Sequence, residues 1–324
     1  MHDRLMSWRH RSCVAVVLAT NALAGATGVL AASPAPVGSP AVSLSPTRVD
    51  LVLSIDSPID VIGLDGSVWV SQIHADDVLR LDPVTGALTA TVSTGTDSGP
   101  GSFATDGTSL FIPNQRGTGV SKIDPATNTV VGVAEQGTAN LGASPAIAAG
   151  SLWVSDEDGT GYRIDPTTLS TVAKVQAGGG YVAVGDLVWG TTDKGLTVTD
   201  PATNTVTQTT ACCGWPGLSL DGTVWAFPGD HTVVVVDGGT QLVRSTFDFG
   251  MDVSTGTAGA GYVWLLAPSA QFDHSRVLKV EPATGAVLGM TSLPGLAPTT
   301  LRVIGDQIWV TSFDSGKVMR LPLF

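Results

Sequence analysis

A short strand motif recurs seven times along the chain and constrains the fold more than any other feature. Each copy begins with a glycine and places an aromatic residue about three to four positions later. The aromatic position is occupied by Trp69, Phe111, Trp153, Trp189, Trp225, Trp264 and Trp309. These residues are separated by 42, 42, 36, 36, 39 and 45 positions, a period typical of one propeller blade. The sequence therefore predicts an all-β protein, a seven-bladed β-propeller of four-stranded blades.

The turn residues divide each repeat into four strands, named a to d from the centre outward. A run of small or apolar residues such as 181–184 precedes a tight hairpin and predicts strand a. The alternating Val-Trp-Val-Ser run predicts strand b, and a polar turn leads to strand c. An Asp-Pro-x-Thr turn, in which the aspartate accepts backbone N–H groups and the proline fixes φ, then leads to strand d.

The two ends of the chain complement each other. The seventh repeat ends at strand c, with residues 321–324, whereas residues 49–54 have the pattern of a strand d without a partner. We therefore expect the N-terminal strand to complete the last blade. A ring closed in this way leaves no free seam between its first and last blades.

The N-terminal residues have the composition of a secretory signal peptide. Three arginines precede an apolar run from Cys13 to Ala32, and small residues around Ala31 form a plausible cleavage site. An uncleaved anchor is the alternative, since the run is long enough to span a bilayer, but threonines and glycines dilute its hydrophobicity. The predicted organisation is a signal peptide at 1–32, a Pro/Ser-rich spacer at 33–47 and the propeller at 48–324. The mature protein is then expected to be secreted, extracellular or held in the cell envelope, with no membrane span after cleavage.

The charge of the chain restricts its partners. The formal net charge is −12, and removal of residues 1–32 takes away Asp3 and three arginines, which gives −14. An acidic surface repels phosphate backbones and anionic lipid. We expect a monomer that binds a protein, peptide, glycan or small-molecule ligand and does not bind nucleic acid.

The chemically useful side chains concentrate at one end of the predicted propeller. The b-to-c turns and the connections from strand d to the next strand a gather on one face, here called the top face. The histidines of the mature chain all fall in b-to-c turns, and two of them follow an aspartate that could orient the imidazole as a base or metal ligand. The ligand-binding candidates are His231, His274, Asp230, Asp273, Trp215, Cys212, Cys213 and His74. Aspartates also stabilise ordinary turns, and this remains the alternative for Asp230 and Asp273.

Cys212 and Cys213 stand side by side, in a predicted connection from strand d to strand a beside blade 5. Three interpretations are open: a strained vicinal disulfide near a ligand, a free thiol pair or soft-metal site, or an incidental pair. Outside the cell we favour the disulfide. The nearby Trp215 would place an aromatic ring near the rim of the channel, or would pack between blades.

The repeats resemble the YVTN-type propellers and the streptogramin-lyase-like (virginiamycin B lyase-like) propellers. The resemblance lies in the Trp-Val-Ser strand at Trp69 and in the pattern [RK]-[IL]-D-P-[AV]-T, as at Arg80. It implies the propeller scaffold from residue 48 onward. The lyases use top-face histidines, a glutamate and a divalent cation. The glutamates of this chain are Glu135, Glu157 and Glu281, and none stands in a Glu-x-His arrangement.

The sequence contains no complete catalytic set, and its catalytic residues are unknown. Gly-x-Ser-x-Gly, phosphate-loop and His-Glu-x-x-His motifs are absent. The first hypothesis is a secreted binding module with its ligand site on the top face. The alternative is a metal-dependent lyase or hydrolase of the streptogramin-lyase type, in which His231 and His274 would hold a divalent cation.

Overall fold

The chain folds into seven four-stranded antiparallel blades around a common axis. The computed structural model describes residues 44–45, 48–138, 140–142, 144–208, 214–269, 275–293 and 297–324. All regular elements among these residues are β-strands. The prediction of an all-β, seven-bladed propeller is confirmed.

The strands follow one another in the order a to d within each blade. Blade 1 comprises β3 (Pro58–Leu64), β4 (Ser67–Gln72), β5 (Asp77–Leu81) and β6 (Leu88–Ser93); blade 2 comprises β7 (Ala104–Thr105), β8 (Leu110–Pro113), β9 (Gly119–Asp124) and β10 (Thr129–Glu135). Blade 3 comprises β11 (Ala146–Ala148), β12 (Ser151–Ser155), β13 (Thr160–Ile164) and β14 (Thr171–Gln176); blade 4 comprises β15 (Gly179–Val184), β16 (Leu187–Thr192), β17 (Gly195–Asp200) and β18 (Thr205–Gln208). Blade 5 comprises β19 (Trp215–Leu220), β20 (Thr223–Phe227), β21 (Thr232–Asp237) and β22 (Val243–Asp248). Blade 6 comprises β23 (Thr255–Gly259), β24 (Tyr262–Ala267), β25 (Ser275–Val280) and β26 (Val287–Leu293); blade 7 comprises β27 (Thr300–Ile304), β28 (Gln307–Ser312), β29 (Lys317–Pro322) and β2 (Leu51–Ser54).

The N-terminal strand β2 closes the ring. It pairs antiparallel with β29, with Leu51 opposite Arg320 and Ser54 opposite Lys317. This confirms the predicted completion of the last blade. A further short strand, β1 (Leu44–Ser45), pairs in parallel with β26 and adds a fifth strand to blade 6.

The repeated turns explain why the sequence folds in this register. The hairpin between β3 and β4 has positive φ at both Asp65 (52°) and Gly66 (64°), as the preferred hairpin turn requires. In the turn between β5 and β6, the Asp82 carboxylate accepts hydrogen bonds from the N–H groups of Val84 (3.0 Å) and Thr85 (2.7 Å). Both kinds of turn lie at the bottom face, opposite the connections of the top face.

The core consists of apolar layers between neighbouring blades. Each of the seven marker aromatics is at most 1% exposed and packs against strand b of the next blade. Trp153 belongs to the layer that contains Val188 of blade 4, and Trp309 belongs to the layer that contains Val68 of blade 1. The marker aromatic of each blade therefore stabilises the packing between neighbouring blades.

A cation on strand c reinforces four of the seams between blades. The Arg80 guanidinium lies 5.1 Å from the Trp69 ring and donates to the Pro125 carbonyl of blade 2 at 2.7 Å. The same position holds Lys122, Arg163 and Arg320, which reach the following Asp-Pro turn in the same way. The corresponding residues of blades 4 and 5 are valines, Val198 and Val235. The basic residue of the repeat is thus an inter-blade contact.

In the part of the chain that the structure describes, no helix has the length and hydrophobicity needed to cross a bilayer. The predicted signal peptide at 1–32 lies outside the described residues.

Candidate functional site

The most elaborate polar arrangement on the top face lies between blades 7 and 1. Its central residue is His74, in the turn between β4 and β5. Ser57 faces it from the connection between β2 and β3. Phe313, in the b-to-c turn of blade 7, packs edge-on against the imidazole with the ring centroids 5.4 Å apart. The His74 side chain remains exposed, so this site, here called the His74 site, is open to a ligand.

A chain of hydrogen bonds fixes the orientation of the imidazole. The Ser57 hydroxyl donates to Oδ1 of Asp56 at 2.8 Å and lies 2.9 Å from Nδ1 of His74. A hydroxyl has one proton, and a carboxylate oxygen accepts. In either charge state the proton between Ser57 and His74 therefore belongs to Nδ1, and in the neutral imidazole Nε2 is the acceptor that faces solvent. In this arrangement the imidazole donates a hydrogen bond to Ser57, which fixes the orientation of the ring. In an activated serine the direction would be reversed, because the histidine would accept the hydroxyl proton.

The backbone of Ser57 is also unusual. This buried residue has φ = 46° directly before Pro58, a conformation that non-glycine residues seldom adopt. The Ile73 N–H donates to the Ser57 carbonyl at 3.2 Å, so the turn that carries His74 is tied to the strained residue. Such strain persists only where surrounding contacts enforce it, and it concentrates at functional positions.

Two further carboxyl groups border the site. Burial, followed by the charges of Asp76 and Asp56, raises the pKa of Asp77, and its Oδ1 is buried without a hydrogen-bond partner. Burial also acts to raise the pKa of Asp76, but hydrogen bonds from the Gly99 N–H and from Arg116 overcome it and hold that pKa below its ordinary value. Asp76 is thus committed to the loop between blades 1 and 2, whereas Asp77 is a carboxyl group with unused hydrogen-bonding capacity.

The structure places His231 and Asp230 in the b-to-c turn of blade 5. Nε2 of His231 lies 3.8 Å from Oδ2 of Asp248, and both side chains are more than half exposed. Asp230 accepts hydrogen bonds from the N–H (2.7 Å) and hydroxyl (2.6 Å) of Thr232. The carboxylate that faces this imidazole thus belongs to Asp248, at the end of strand d, while Asp230 caps its own turn. His231 and His74 lie on different sectors of the ring, because two blades separate blade 5 from blade 1.

Trp215 is the first residue of β19, at the top of the innermost strand of blade 5. Its ring covers Gly180 of blade 4 so closely that a Cβ at this glycine would lie 2.5 Å from the ring. The residue is half-buried. Of the two predictions for Trp215, this geometry favours packing between blades, and one side of the ring remains at the rim of the channel.

Cys212, Cys213, Asp273 and His274 lie outside the described residues. The structure therefore does not test the vicinal disulfide or a site shared by His231 and His274. Among the described residues, no group of three or more His, Cys, Asp or Glu side chains is arranged to hold a metal ion. The divalent cation of the lyase hypothesis stays a prediction, because His274 lies outside these residues.

The comparisons with known proteins agree on the architecture. No known family model matches the sequence, and neither does any curated protein. A structure titled "Crystal Structure of Mitotic Checkpoint Complex" is similar, with 13% identity, a TM-score of 0.71 and coverage of 95% of this chain and 100% of that chain. Virginiamycin B lyase from Staphylococcus aureus has 12% identity and a TM-score of 0.67, covering 85% and 99%. The WD40 propeller domain of Doa1 has 14% identity and a TM-score of 0.69, covering 86% and 97%.

Likeness at this level of identity establishes the fold alone. It supports a β-propeller with a fold like that of the streptogramin lyases. The YVTN-type assignment stays a prediction.

The sequence predicts His74 as a candidate, but it does not predict the residues that organise its site. Ser57 and Phe313 lie in connections of two different blades, so neither is close to His74 in the chain. A signal was present in the Asp56-Ser57-Pro58 turn, which stands immediately before the first innermost strand.

Proposed function

We propose that this protein is a secreted binding module whose ligand contacts the top face of the propeller at the His74 site. The observation that carries the proposal is the hydrogen-bonded imidazole. His74 is exposed, yet Ser57 and Phe313 fix its orientation. Holding an exposed side chain in one orientation costs conformational entropy during folding, so a ligand that uses that orientation binds without incurring this cost again.

The hydrogen-bonding character of the site indicates the ligand class. Nε2 of His74 and the exposed carboxylate of Asp56 are acceptors, and Phe313 supplies an aromatic edge. A complementary ligand therefore offers several donors and some apolar surface. Hydroxyl-rich glycans meet both requirements, and we place them ahead of peptides.

The test uses the mature protein and a panel of soluble oligosaccharides, short peptides and single divalent cations. A ligand that binds only the folded state raises the thermal midpoint by mass action, and calorimetry then gives its affinity. We expect an oligosaccharide to bind the wild type and to lose affinity in His74→Ala. His231→Ala is the matched control, because it removes an exposed histidine from the same kind of turn in another sector. Equal loss in both variants, or loss in His231→Ala alone, would count against the His74 site.

The metal-dependent lyase or hydrolase stands second. Its candidate ligands remain His231 and His274, and the carboxylate of Asp248 lies 3.8 Å from Nε2 of His231. Saturable stabilisation by one divalent cation, together with cation-dependent opening of a cyclic ester, would move this alternative ahead.

Secretion has its own test. The mass of protein recovered from the culture medium should correspond to a chain from which residues 1–32 have been removed. Intact protein retained with the membrane fraction would favour the uncleaved anchor.

A further inference from the structure

A groove opens on the bottom face between blades 7 and 1, at the opposite end of the channel from the His74 site. Its volume is about 900 Å³, within the range of sites for small organic ligands. Apolar side chains dominate the walls: Ile62, Leu64, Val84, Val303 and Ile304. Val84 is 74% exposed, so the outer part of the groove presents uncovered hydrocarbon surface to water.

One charged side chain at the inner end distinguishes this groove. Arg302 lies on strand a directly opposite Trp309. In the other six blades the residue opposite the marker aromatic is uncharged; these residues are Ile62, Ala104, Ala146, Val182, Leu218 and Thr257. The described innermost strands contain only two charged residues, Arg302 and Asp60. An arginine at this position is therefore a departure from the repeat and not a part of it.

The pairing between these two residues leaves Arg302 with donors to spare. Its Nη2 lies 3.1 Å from Oδ2 of Asp60, and its Nε lies 3.4 Å from Oδ1. Asp60 is only 2% exposed and also accepts the N–H groups of Val61 (2.8 Å) and Phe103 (3.1 Å), so its oxygens are fully used. The Arg302 side chain is 36% exposed. Among the described residues no other group accepts a hydrogen bond from Arg302, so its Nη1 has no protein partner.

We propose that this groove is a second ligand site, which binds a small organic carboxylate with an apolar tail. The carboxylate would accept hydrogen bonds from the free guanidinium nitrogen of Arg302, since arginine matches carboxylate geometry. The tail would cover the apolar walls and remove them from water.

The charged residues at the rim of the groove allow the proposal to be tested by the charge of the ligand. Asp65 and Asp306 lie at the mouth of the groove, and Asp65 pairs with Arg80 at 2.9 Å. Arg320 is occupied by Asp50 and by the carbonyls of blade 1. If the rim aspartates governed binding, the groove would prefer a cation. If Arg302 governs it, the groove prefers an anion.

The experiment compares three eight-carbon probes by calorimetry on the mature protein: octanoate, 1-octanol and octylammonium. We expect octanoate to bind about tenfold more tightly than 1-octanol, the contribution of one charge-assisted hydrogen bond, and octylammonium to bind more weakly than either. Octylammonium binding as tightly as octanoate would overturn the proposal. So would equal affinities for octanoate and octanol, or no binding of octanoate.

The position of the site is tested without disturbing the buried ion pair. Val84→Glu adds a negative charge to an exposed wall residue and should weaken octanoate binding at least about tenfold. Val131→Glu, the same substitution at an exposed position of β10, should leave the affinity unchanged. Equal affinities in the two variants would place the octanoate elsewhere. His74→Ala should also leave octanoate binding intact, so this site and the His74 site can fail separately.

A short apolar peptide with a free C-terminal carboxylate, and the same peptide as its amide, distinguish the source of the carboxylate. Binding of the acid peptide more tightly than octanoate would assign the groove to peptide C-termini and refute the small-carboxylate proposal.

Discussion

Arg320 connects three parts of the closed ring, and its replacement by methionine tests how the closure is stabilised. Its Nε donates to Oδ1 of Asp50, beside the closing strand, at 2.9 Å. Its Nη1 donates to the carbonyls of Pro83 (2.7 Å) and Val84 (2.5 Å) of blade 1. The side chain is 14% exposed, and the guanidinium lies 5.9 Å from the Trp309 ring. Methionine keeps much of the apolar stem and removes these polar contacts.

The expected loss follows from the exposure of the partners. A hydrogen bond from a charged group contributes about 1.5–3 kcal/mol when it is shielded from water. The ion pair to Asp50 contributes less than about 1 kcal/mol, because Asp50 is 41% exposed and water screens the pair. The exposed Val84 carbonyl can regain a water. We therefore expect the free energy of unfolding to fall by about 2 kcal/mol and the thermal midpoint to fall by about 4 °C.

The assay is urea unfolding followed by far-UV circular dichroism and by tryptophan fluorescence, with coincident transitions as the criterion for two-state treatment. Arg244→Met is the control, because Arg244 is an exposed arginine on the outer strand of blade 5 and should change stability by less than about 0.5 kcal/mol. If Arg320→Met costs no more than Arg244→Met, the cation on strand c does not stabilise the seam.

Three further predictions address the packing, the alkaline stability and the boundary of the fold. Gly180→Ala should lower the thermal midpoint and shift the tryptophan fluorescence, because the added Cβ would press on the Trp215 ring. Gly185→Ala is the control: Gly185 has a similar positive φ (57°, against 70° at Gly180) but open space around it, so its thermal melt measures the backbone strain alone. Burial, followed by the hydrogen bond to Asp156, raises the pKa of Tyr162 to about 12. The folded state therefore favours the neutral phenol, and this stabilising contribution is lost as the pH rises from about 10 to 12. Over that pH range the urea midpoint should fall more steeply for the wild type than for Tyr162→Phe. A chain that begins at Arg48 should melt close to the mature protein, whereas one that begins at Ile55 lacks β2 and should melt at a clearly lower temperature.

The sequence contained the architecture because the fold repeats. The spacing of residues such as Trp153 and Trp189 reflects contacts within one blade and with the next blade along the chain. The unpaired pattern at 49–54 also required only the knowledge that a ring must close. Each of these inferences used local periodicity, which survives even where individual repeats diverge.

The acidic turn after β12 shows a contact that the local sequence does not predict. Asp156-Glu157-Asp158-Gly159 has the composition of a solvated turn, with a calcium loop as the alternative. The structure buries Asp156 to 6% exposure and uses its carboxylate to accept the Tyr162 hydroxyl at 2.8 Å and the Thr160 N–H at 2.9 Å. The composition predicts a turn at these residues. It does not predict the hydrogen bond between Tyr162 and Asp156, because that contact depends on the register between β12 and β13.

The candidate sites were less predictable because they combine residues from different blades. His74 meets Phe313 only after the chain has closed on itself, and Arg302 meets Asp60 across 242 positions of sequence. A motif analysis can detect an unusual residue type at such a position. It cannot pair that residue with a partner from the far end of the chain.

The most direct test of the proposed function is ¹H–¹⁵N NMR of the histidine side chains of the mature protein during titration with the oligosaccharide panel. In the free protein we expect His74 to carry its proton on Nδ1. One oligosaccharide should then move the His74 resonances in a saturable manner while those of His231 stay in place. A proton on Nε2 in the free protein, or an oligosaccharide that binds without moving the His74 resonances, would contradict the account. If no member of the panel bound, the glycan-binding function itself would be refuted.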